Sequence, residues 1–132
     1  MLDFAAARRH MVDGQVRTAD VTDGRLLSAM FELPREQFVP EGRASLAYLD
    51  LDFSVGEHGA FVRRLVRPMV LAKLIQAAKV TEFDHVLDIG CATGYSTALL
   101  SRIAKSVVGL EEAPALVRRA GEAAAHCVHA SG

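Results

Sequence analysis

The sequence is short of several features that would place it in a specialised class of protein. Its two cysteines, Cys91 and Cys127, do not make a disulfide framework, so we expect a reducing compartment. No apolar run approaches the ~20 residues needed to span a bilayer. The first eleven residues, MLDFAAARRHM, also lack the basic start and long apolar core of a secretion signal. We therefore predict a cytoplasmic protein that does not cross a membrane.

Neither sign of charge is in excess, because 15 basic residues face 16 acidic ones. This balance gives no general attraction to nucleic acid or to anionic membranes, and we predict neither as a partner. The small basic cluster of Arg63, Arg64 and Arg67 is expected to be a solvated surface. A chain of 132 residues with 51% hydrophobic residues suits one domain with a sizeable core.

The first part of the chain has the periodicity of short helices. Residues 3–12 carry apolar side chains at helical spacing, and Gly14 interrupts the pattern. A second helix is predicted after Thr22 or Asp23, and Pro34 closes it. Its predicted apolar stripe comprises Leu26, Leu27, Met30 and Leu33.

A segment that alternates apolar and polar residues follows at 47–56, AYLDLDFSVG, and is predicted to be extended. Asp50 and Asp52 would then face one side of it, either toward a substrate or at a solvated edge. Pro68 is typical of the first turn of a helix, which the spacing of the apolar residues extends to about Lys79.

After Lys79 the order becomes strand (HVLDI), glycine turn, helix (YSTALLSRIA), strand (SVVGL) and helix (APALVRRAGEAAA). Such a βαβα order predicts parallel strands. We place a boundary near residue 80, between a helical cap with a substrate-side segment at 1–80 and a nucleotide-fold core at 81–132.

The turn after the first of these strands is a candidate ligand site. Gly90 and Gly94 leave room for a ligand to approach the backbone closely, and ligands of parallel sheets bind at this edge. Glu111 ends the second strand 21 positions after Gly90, where a carboxylate can accept hydrogen bonds from ribose hydroxyls. Glu112 is the adjacent alternative.

The dinucleotide fingerprint is absent from this turn, because Ala92 occupies its second glycine position. Asp88 would disfavour a pyrophosphate and favour a cationic ligand. Cys91 has no recognisable histidine partner, so we predict that it packs as a small residue and is not a nucleophile. The tail motif formed by His126, Cys127 and His129 is a weak metal signal, and we predict no metal site.

VLDIGCATGY resembles the first motif of the class I S-adenosylmethionine-dependent methyltransferases, an acidic residue followed by Gly-x-Gly-x-Gly. Ala92 replaces the middle glycine, which is the mildest departure available. The resemblance implies that the turn lies against the methionine part of the cofactor and that Glu111 binds the ribose. The predicted cofactor-binding residues are Asp88, Gly90, Cys91, Ala92, Gly94 and Glu111.

Upstream, RLLSAMFELPREQFVPEG followed by AYLD is similar to the protein-L-isoaspartate O-methyltransferase family, over about residues 12–117. The resemblance implies an α/β protein in which an N-terminal helical cap precedes the first βαβα part of a Rossmann-like fold. It also implies methyl transfer from S-adenosylmethionine to a carboxylate of a protein or peptide. We assign no catalytic residue.

Two departures from the family leave an alternative open. Val66 stands where the family has an active-site serine, although Arg64 or Arg67 can recognise a carboxylate by charge. The sequence also supplies only two strands of the family's larger sheet, so we expect a C-terminally truncated chain that self-associates to cover its open sheet. The alternative is a non-catalytic methyltransferase-like protein or fragment that keeps the fold or the cofactor pocket.

Overall fold

The computed structural model describes residues 2–58 and 61–123. Helix α1 spans Phe4–Met11, continues through a wider turn at Val12–Val16, and is followed by helix α2 at Gly24–Glu32. Short 3₁₀ turns occupy Arg17–Ala19, Arg35–Gln37 and Ala44–Leu46. None of the helices in this described part of the chain is both long enough and apolar enough to cross a bilayer.

Helix α2 begins and ends where its sequence predicts. The Asp23 side chain caps it by accepting hydrogen bonds from the backbone N–H groups of Arg25 and Leu26. Leu33, the residue before Pro34, has the extended backbone that a following proline imposes, so the helix stops there. All four residues of the predicted stripe are buried, which confirms that this face of α2 packs on the core.

A β-hairpin links the helical part to the rest of the chain. Strands β1 (Phe53–His58) and β2 (Phe61–Leu65) pair antiparallel, with a bulge between Ser54 and Gly56. The prediction of an extended segment at 47–56 is therefore right only from Phe53 onward. Residues 47–50 lie in turns, and Leu49 is exposed although the alternating pattern had suggested a strand.

The last elements follow the predicted βαβα order. Helix α3 spans Pro68–Ala78, with Pro68 in its first turn as expected. It is followed by β3 (His85–Ile89), α4 (Tyr95–Ser101), β4 (Ser106–Leu110) and α5 (Pro114–Ala123). Strands β3 and β4 pair in parallel, so their carboxyl ends meet at Ile89 and Leu110.

One hydrophobic core joins the N-terminal helices to the sheet. Met30 of α2 and Leu99 of α4 are both fully buried in it, on opposite sides of residue 80 in the sequence. The Arg25 guanidinium adds a polar link, because it donates to the carbonyls of Val80 (2.8 Å) and Ile103 (3.0 Å). The division into segments 1–80 and 81–132 stays a prediction, and these contacts cross it.

The two faces of the β3–β4 sheet differ in burial. Val107 and Gly109 are buried on the face that helix α4 covers. On the other face Leu87, Ile89 and Val108 are 58%, 73% and 38% exposed, and we call these three residues the open face. Parallel sheets in globular proteins are buried on both faces, so this apolar surface lacks the cover that such sheets normally have.

Candidate cofactor site

The glycine turn joins the carboxyl ends of both parallel strands. The backbone N–H groups of Gly90 and Cys91 donate to the Leu110 carbonyl, at 2.7 and 3.3 Å, so the turn is fastened to the end of β4. Gly90 and Gly94 have φ angles of +73° and +94°, which favour glycine. The predicted strand, turn and helix start are therefore all present at residues 85–101.

Ala92 also has a positive φ, of +51°, at the position where the resembled motif has its middle glycine. A side chain in this left-handed region costs about 1 kcal/mol relative to ordinary backbone. The turn keeps its shape in spite of that strain, because the Ala92 N–H donates to Glu111 Oε1 at 2.9 Å. The replacement of glycine is thus accommodated in the backbone.

Two neighbouring elements approach the turn at its glycines. A Cβ atom added at Gly90 would lie 2.8 Å from Arg63 Nη2 of strand β2. One added at Gly94 would lie 3.0 Å from the Ala120 Cβ of helix α5. The room that Gly90 leaves above the turn is therefore filled by a guanidinium, and the room at Gly94 by a helix.

Glu111 lies directly beside the turn and is only 1% exposed. Its Oε1 accepts from Arg63 Nη2 at 2.6 Å and from the Ala92 N–H at 2.9 Å. Its Oε2 accepts from the Ala113 N–H at 3.1 Å. These donors offset the cost of burying a carboxylate. Glu112, the alternative ribose ligand, is exposed.

Asp88 lies in strand β3, and its side chain points at the start of helix α4. Its Oδ2 accepts from the hydroxyls of Ser96 (2.6 Å) and Thr97 (2.8 Å), which fasten the helix to the strand. Gly109 of β4 is packed behind them, since a Cβ there would lie 2.8 Å from Thr97 Oγ1. Gly109 was not among the residues singled out from the sequence, where its only signal is its place inside a short apolar strand.

Cys91 is buried in the turn, and burial raises the pKa of its thiol. A thiol that stays protonated at neutral pH is a poor nucleophile, in agreement with a packing role. His126, Cys127 and His129 lie outside the described residues. Among residues 2–58 and 61–123, no group of three or more His, Cys, Asp or Glu side chains is placed to hold a metal ion.

The expectation that the arginine cluster is a solvated surface is wrong for Arg63. Its side chain is only 23% exposed and forms the ion pair with Glu111. Arg63 and Arg64 lie in strand β2, whereas Arg67 directly precedes helix α3. Alternate side chains of a strand face opposite ways, so Arg64 is exposed while Arg63 points to the turn. The strand-like pattern of FVRRL is the sequence feature from which the opposite orientations of Arg63 and Arg64 could have been predicted.

Asp52 and Arg67 close the base of the hairpin. Asp52 Oδ1 accepts from the Arg67 backbone N–H at 2.8 Å and from its Nε at 3.3 Å. These contacts, the backbone hydrogen bond first, hold the pKa of Asp52 below its usual range. Asp50 and Asp52 both precede strand β1, so the prediction that they alternate along one extended segment is wrong.

Val66 lies between β2 and α3, and its backbone is held by a buried arginine. Arg35 is fully buried, and it donates to the carbonyls of Ala47 (2.8 Å) and Val66 (3.1 Å). Its guanidinium also stacks on the Tyr95 ring, 4.8 Å from the centroid. Arg35, which was not among the residues singled out from the sequence, thus ties the segment between β2 and α3 to the helix that follows the glycine turn.

Comparisons with known proteins agree on one family. The family model described as protein-L-isoaspartate(D-aspartate) O-methyltransferase matches residues 6–128. The protein-L-isoaspartate O-methyltransferase of Roseiflexus sp. (strain RS-1) is 38% identical over 119 residues, which are 90% of this chain and 52% of that protein. The protein of the same name from Protochlamydia amoebophila (strain UWE25) is 39% identical over 110 residues, 83% of this chain and 50% of the relative.

Solved structures share the fold. A protein-L-isoaspartate O-methyltransferase matches with a TM-score of 0.74 and 24% identity, over 87% of this chain and 37% of that one. A putative enzyme of the same name from Plasmodium falciparum, in complex with S-adenosyl-L-homocysteine, matches with a TM-score of 0.66 and 17% identity. The matched region is 92% of this chain and 55% of the Plasmodium falciparum chain. The predicted fold class is confirmed, and the chain spans about half the length of the curated relatives it matches.

Proposed function

Because this chain belongs to the protein-L-isoaspartate(D-aspartate) O-methyltransferase family, we propose that it binds S-adenosylmethionine and transfers its methyl group to a carboxylate of a protein or peptide. The observation that carries the proposal is the turn of Gly90 and Gly94 beside the buried Glu111. A glycine turn at the end of a parallel strand and a carboxylate for a ribose are the two parts that such a cofactor needs.

The residues of the chain have distinct tasks in this proposal. Gly90 lets the cofactor lie against the turn, and Glu111 accepts hydrogen bonds from its ribose. Gly94, which was expected to share the role of Gly90, packs on helix α5 and supplies the left-handed backbone of the turn. Asp88 gives the end of β3 a negative field, which suits a cation. When bound, the cofactor supplies a methyl group on a positively charged sulfur, so the protein mainly has to align the acceptor and exclude water.

Titration calorimetry with S-adenosylmethionine and S-adenosylhomocysteine tests the cofactor proposal. We expect the chain to bind both, and Glu111→Gln to weaken binding by about tenfold, because roughly 1.4 kcal/mol is lost with one charged hydrogen bond. Glu112→Gln is the matched control, with the same chemical change at an exposed neighbour. No binding at millimolar cofactor, or equal losses in the two variants, would contradict the proposal.

The methyl acceptor is a separate proposal, and Val66 bears on it. We propose an isoaspartyl-type carboxylate as acceptor. Val66 has no side-chain donor where the resembled family has a serine, so Val66→Ser is expected to raise methylation of an isoaspartyl peptide. Transfer of labelled methyl groups to the peptide measures this. Cofactor binding without transfer, in both the chain and the variant, would favour the second candidate, a non-catalytic cofactor-binding protein.

Self-association is proposed for the open face. Leu87, Ile89 and Val108 form an exposed apolar surface on a parallel sheet, and a second copy of the chain offers an identical one. We expect light scattering to show a dimer or larger species that Ile89→Ser converts to a monomer. A monomeric wild-type chain would contradict this proposal and leave the cofactor proposal unaffected.

The cytoplasm is the proposed compartment. Cys91 is a free, buried cysteine, and free thiols persist where the surroundings are reducing. Recovery of the protein in the cytoplasmic fraction of its host is the expected result, and recovery in a secreted fraction would contradict it.

A further inference from the structure

We propose that Arg63 is an internal competitor of the cofactor, which holds the Glu111 carboxylate until the cofactor displaces it. This inference rests on the proposed function, since it assumes that Glu111 receives the ribose. It concerns regulation of that same site: the affinity of the chain for its cofactor is set partly by an ion pair that must first break.

The hydrogen-bonding capacity of Glu111 is the first reason. Each carboxylate oxygen has two lone pairs. Oε1 is filled, because it accepts from Arg63 Nη2 and from the Ala92 N–H. Among the residues that the structure describes, the partner of Oε2 is the Ala113 N–H alone. A ribose diol that donates one hydrogen bond to each oxygen therefore needs the position on Oε1 that Arg63 takes.

The space above the turn is the second reason. The guanidinium of Arg63 lies against the position that a Cβ of Gly90 would take, with Nη2 2.8 Å from it. Gly90 is the residue whose missing side chain allows a ligand to approach the backbone. One arginine thus takes one position on the carboxylate and the close-approach space, so a ribose diol can pair with both carboxylate oxygens only after Arg63 moves.

Arg63 is able to move without breaking the core. Its side chain is 23% exposed, so the guanidinium can return to water, whereas Glu111 keeps two backbone donors after it leaves. The apparent dissociation constant of a ligand rises in inverse proportion to the fraction of molecules in the open state. Removing Arg63 should therefore tighten cofactor binding.

The test compares two arginine variants of the 132-residue chain by calorimetric titration with S-adenosylhomocysteine. Arg63→Met is expected to lower the dissociation constant by about tenfold, for an open state populated to roughly one tenth. Arg102→Met is the matched control, because Arg102 also forms an ion pair of 2.6 Å, with Glu32, at the far end of α4. Its dissociation constant should equal that of the unaltered chain.

A second measurement uses the unaltered chain and does not depend on how a variant folds. Added sodium chloride screens the partly exposed pair, so binding of the zwitterionic S-adenosylhomocysteine should tighten with salt. In Arg63→Met the affinity should not change with salt. Thermal melts of both variants confirm that they are folded.

The outcomes separate the two levels of the proposal. If neither the chain nor Arg63→Met binds the ligand, the proposed function fails and this inference fails with it. If both bind equally, or if Arg63→Met binds more weakly, the cofactor proposal stands and the competition is refuted. Weaker binding would mean that Arg63 is itself a ligand of the cofactor.

Discussion

The N-terminal helices and the β3–β4 sheet are both rich in aliphatic residues, yet they use them differently. In α2 the whole apolar stripe is buried, from Leu26 to Leu33. In the sheet, Val107 is buried beneath α4 while its strand neighbour Val108 faces outward with Leu87 and Ile89. The difference is not in residue type but in whether a second layer covers the side chain. How much an apolar side chain stabilises the fold therefore depends on the element that packs over it as well as on the residue type.

The largest difference in the free energy of unfolding is expected between alanine variants of two leucines in the sheet region, one buried and one exposed. Leu99→Ala should lower the free energy of unfolding by about 3 kcal/mol, because it leaves a cavity in the core. Leu87→Ala, the matched change on the open face, should alter it by less than about 0.5 kcal/mol at protein concentrations low enough to keep the chain monomeric. Urea unfolding measures both. Equal losses would mean that the open face is covered in solution.

The next effect concerns ion pairs in the two regions. Arg8 of α1 donates from Nε to the Tyr48 hydroxyl at 2.8 Å and from Nη2 to Glu36 at 3.2 Å, and both charged side chains are largely buried. Arg8→Met should therefore cost about 2 kcal/mol. Arg102→Met, which breaks an exposed pair, should cost less than about 0.5 kcal/mol. Urea unfolding measures both losses. Similar losses for the two variants would show that the burial of an ion pair does not determine its contribution to stability.

A smaller effect is expected from the cap of helix α2. Asp23 accepts from two backbone N–H groups, whereas Asp3 at the start of α1 accepts from one, that of Ala6. Asp23→Ala should cost about 1 kcal/mol of unfolding free energy. Asp3→Ala should cost less than Asp23→Ala, since it frees one donor near the chain terminus. A larger loss for Asp3 would mean that α1 limits the stability of the helical part.

The smallest effect is a pH dependence at the base of the hairpin. The pKa of Asp52 is lowered by its contacts with Arg67, so this carboxylate stabilises the fold above its unfolded pKa. The contribution is lost as the pH falls through the lower, folded pKa. Asp52→Asn should thus be slightly less stable than the unaltered chain at neutral pH and equally stable in strong acid. A difference between them that persists in strong acid would contradict this assignment.

Local signals explain which parts of the fold were predictable. The cap at Asp23, the stop before Pro34 and the strand–glycine–helix order at Gly90 are each written within a few residues. Arg63 could not be placed in this way, because its partner Glu111 is 48 residues distant and the strand that carries it has a bulged partner. The alternation of apolar and polar residues at 47–52 predicted a strand wrongly for a related reason, because Leu49 is left exposed and is not covered by another element.

The two hydrogen bonds of Arg25 to the carbonyls of Val80 and Ile103 have a consequence for how the chain withstands cleavage. A protease that cut after residue 80 would leave Arg25 and Val80 in the first fragment and Ile103 in the second. The hydrogen bonds of Arg25 to both carbonyls would therefore still connect the two fragments. The fragments would share one core and remain associated, in the manner of a split protein whose halves reassemble. Cleavage of the backbone at residue 80 would then leave the folded structure intact.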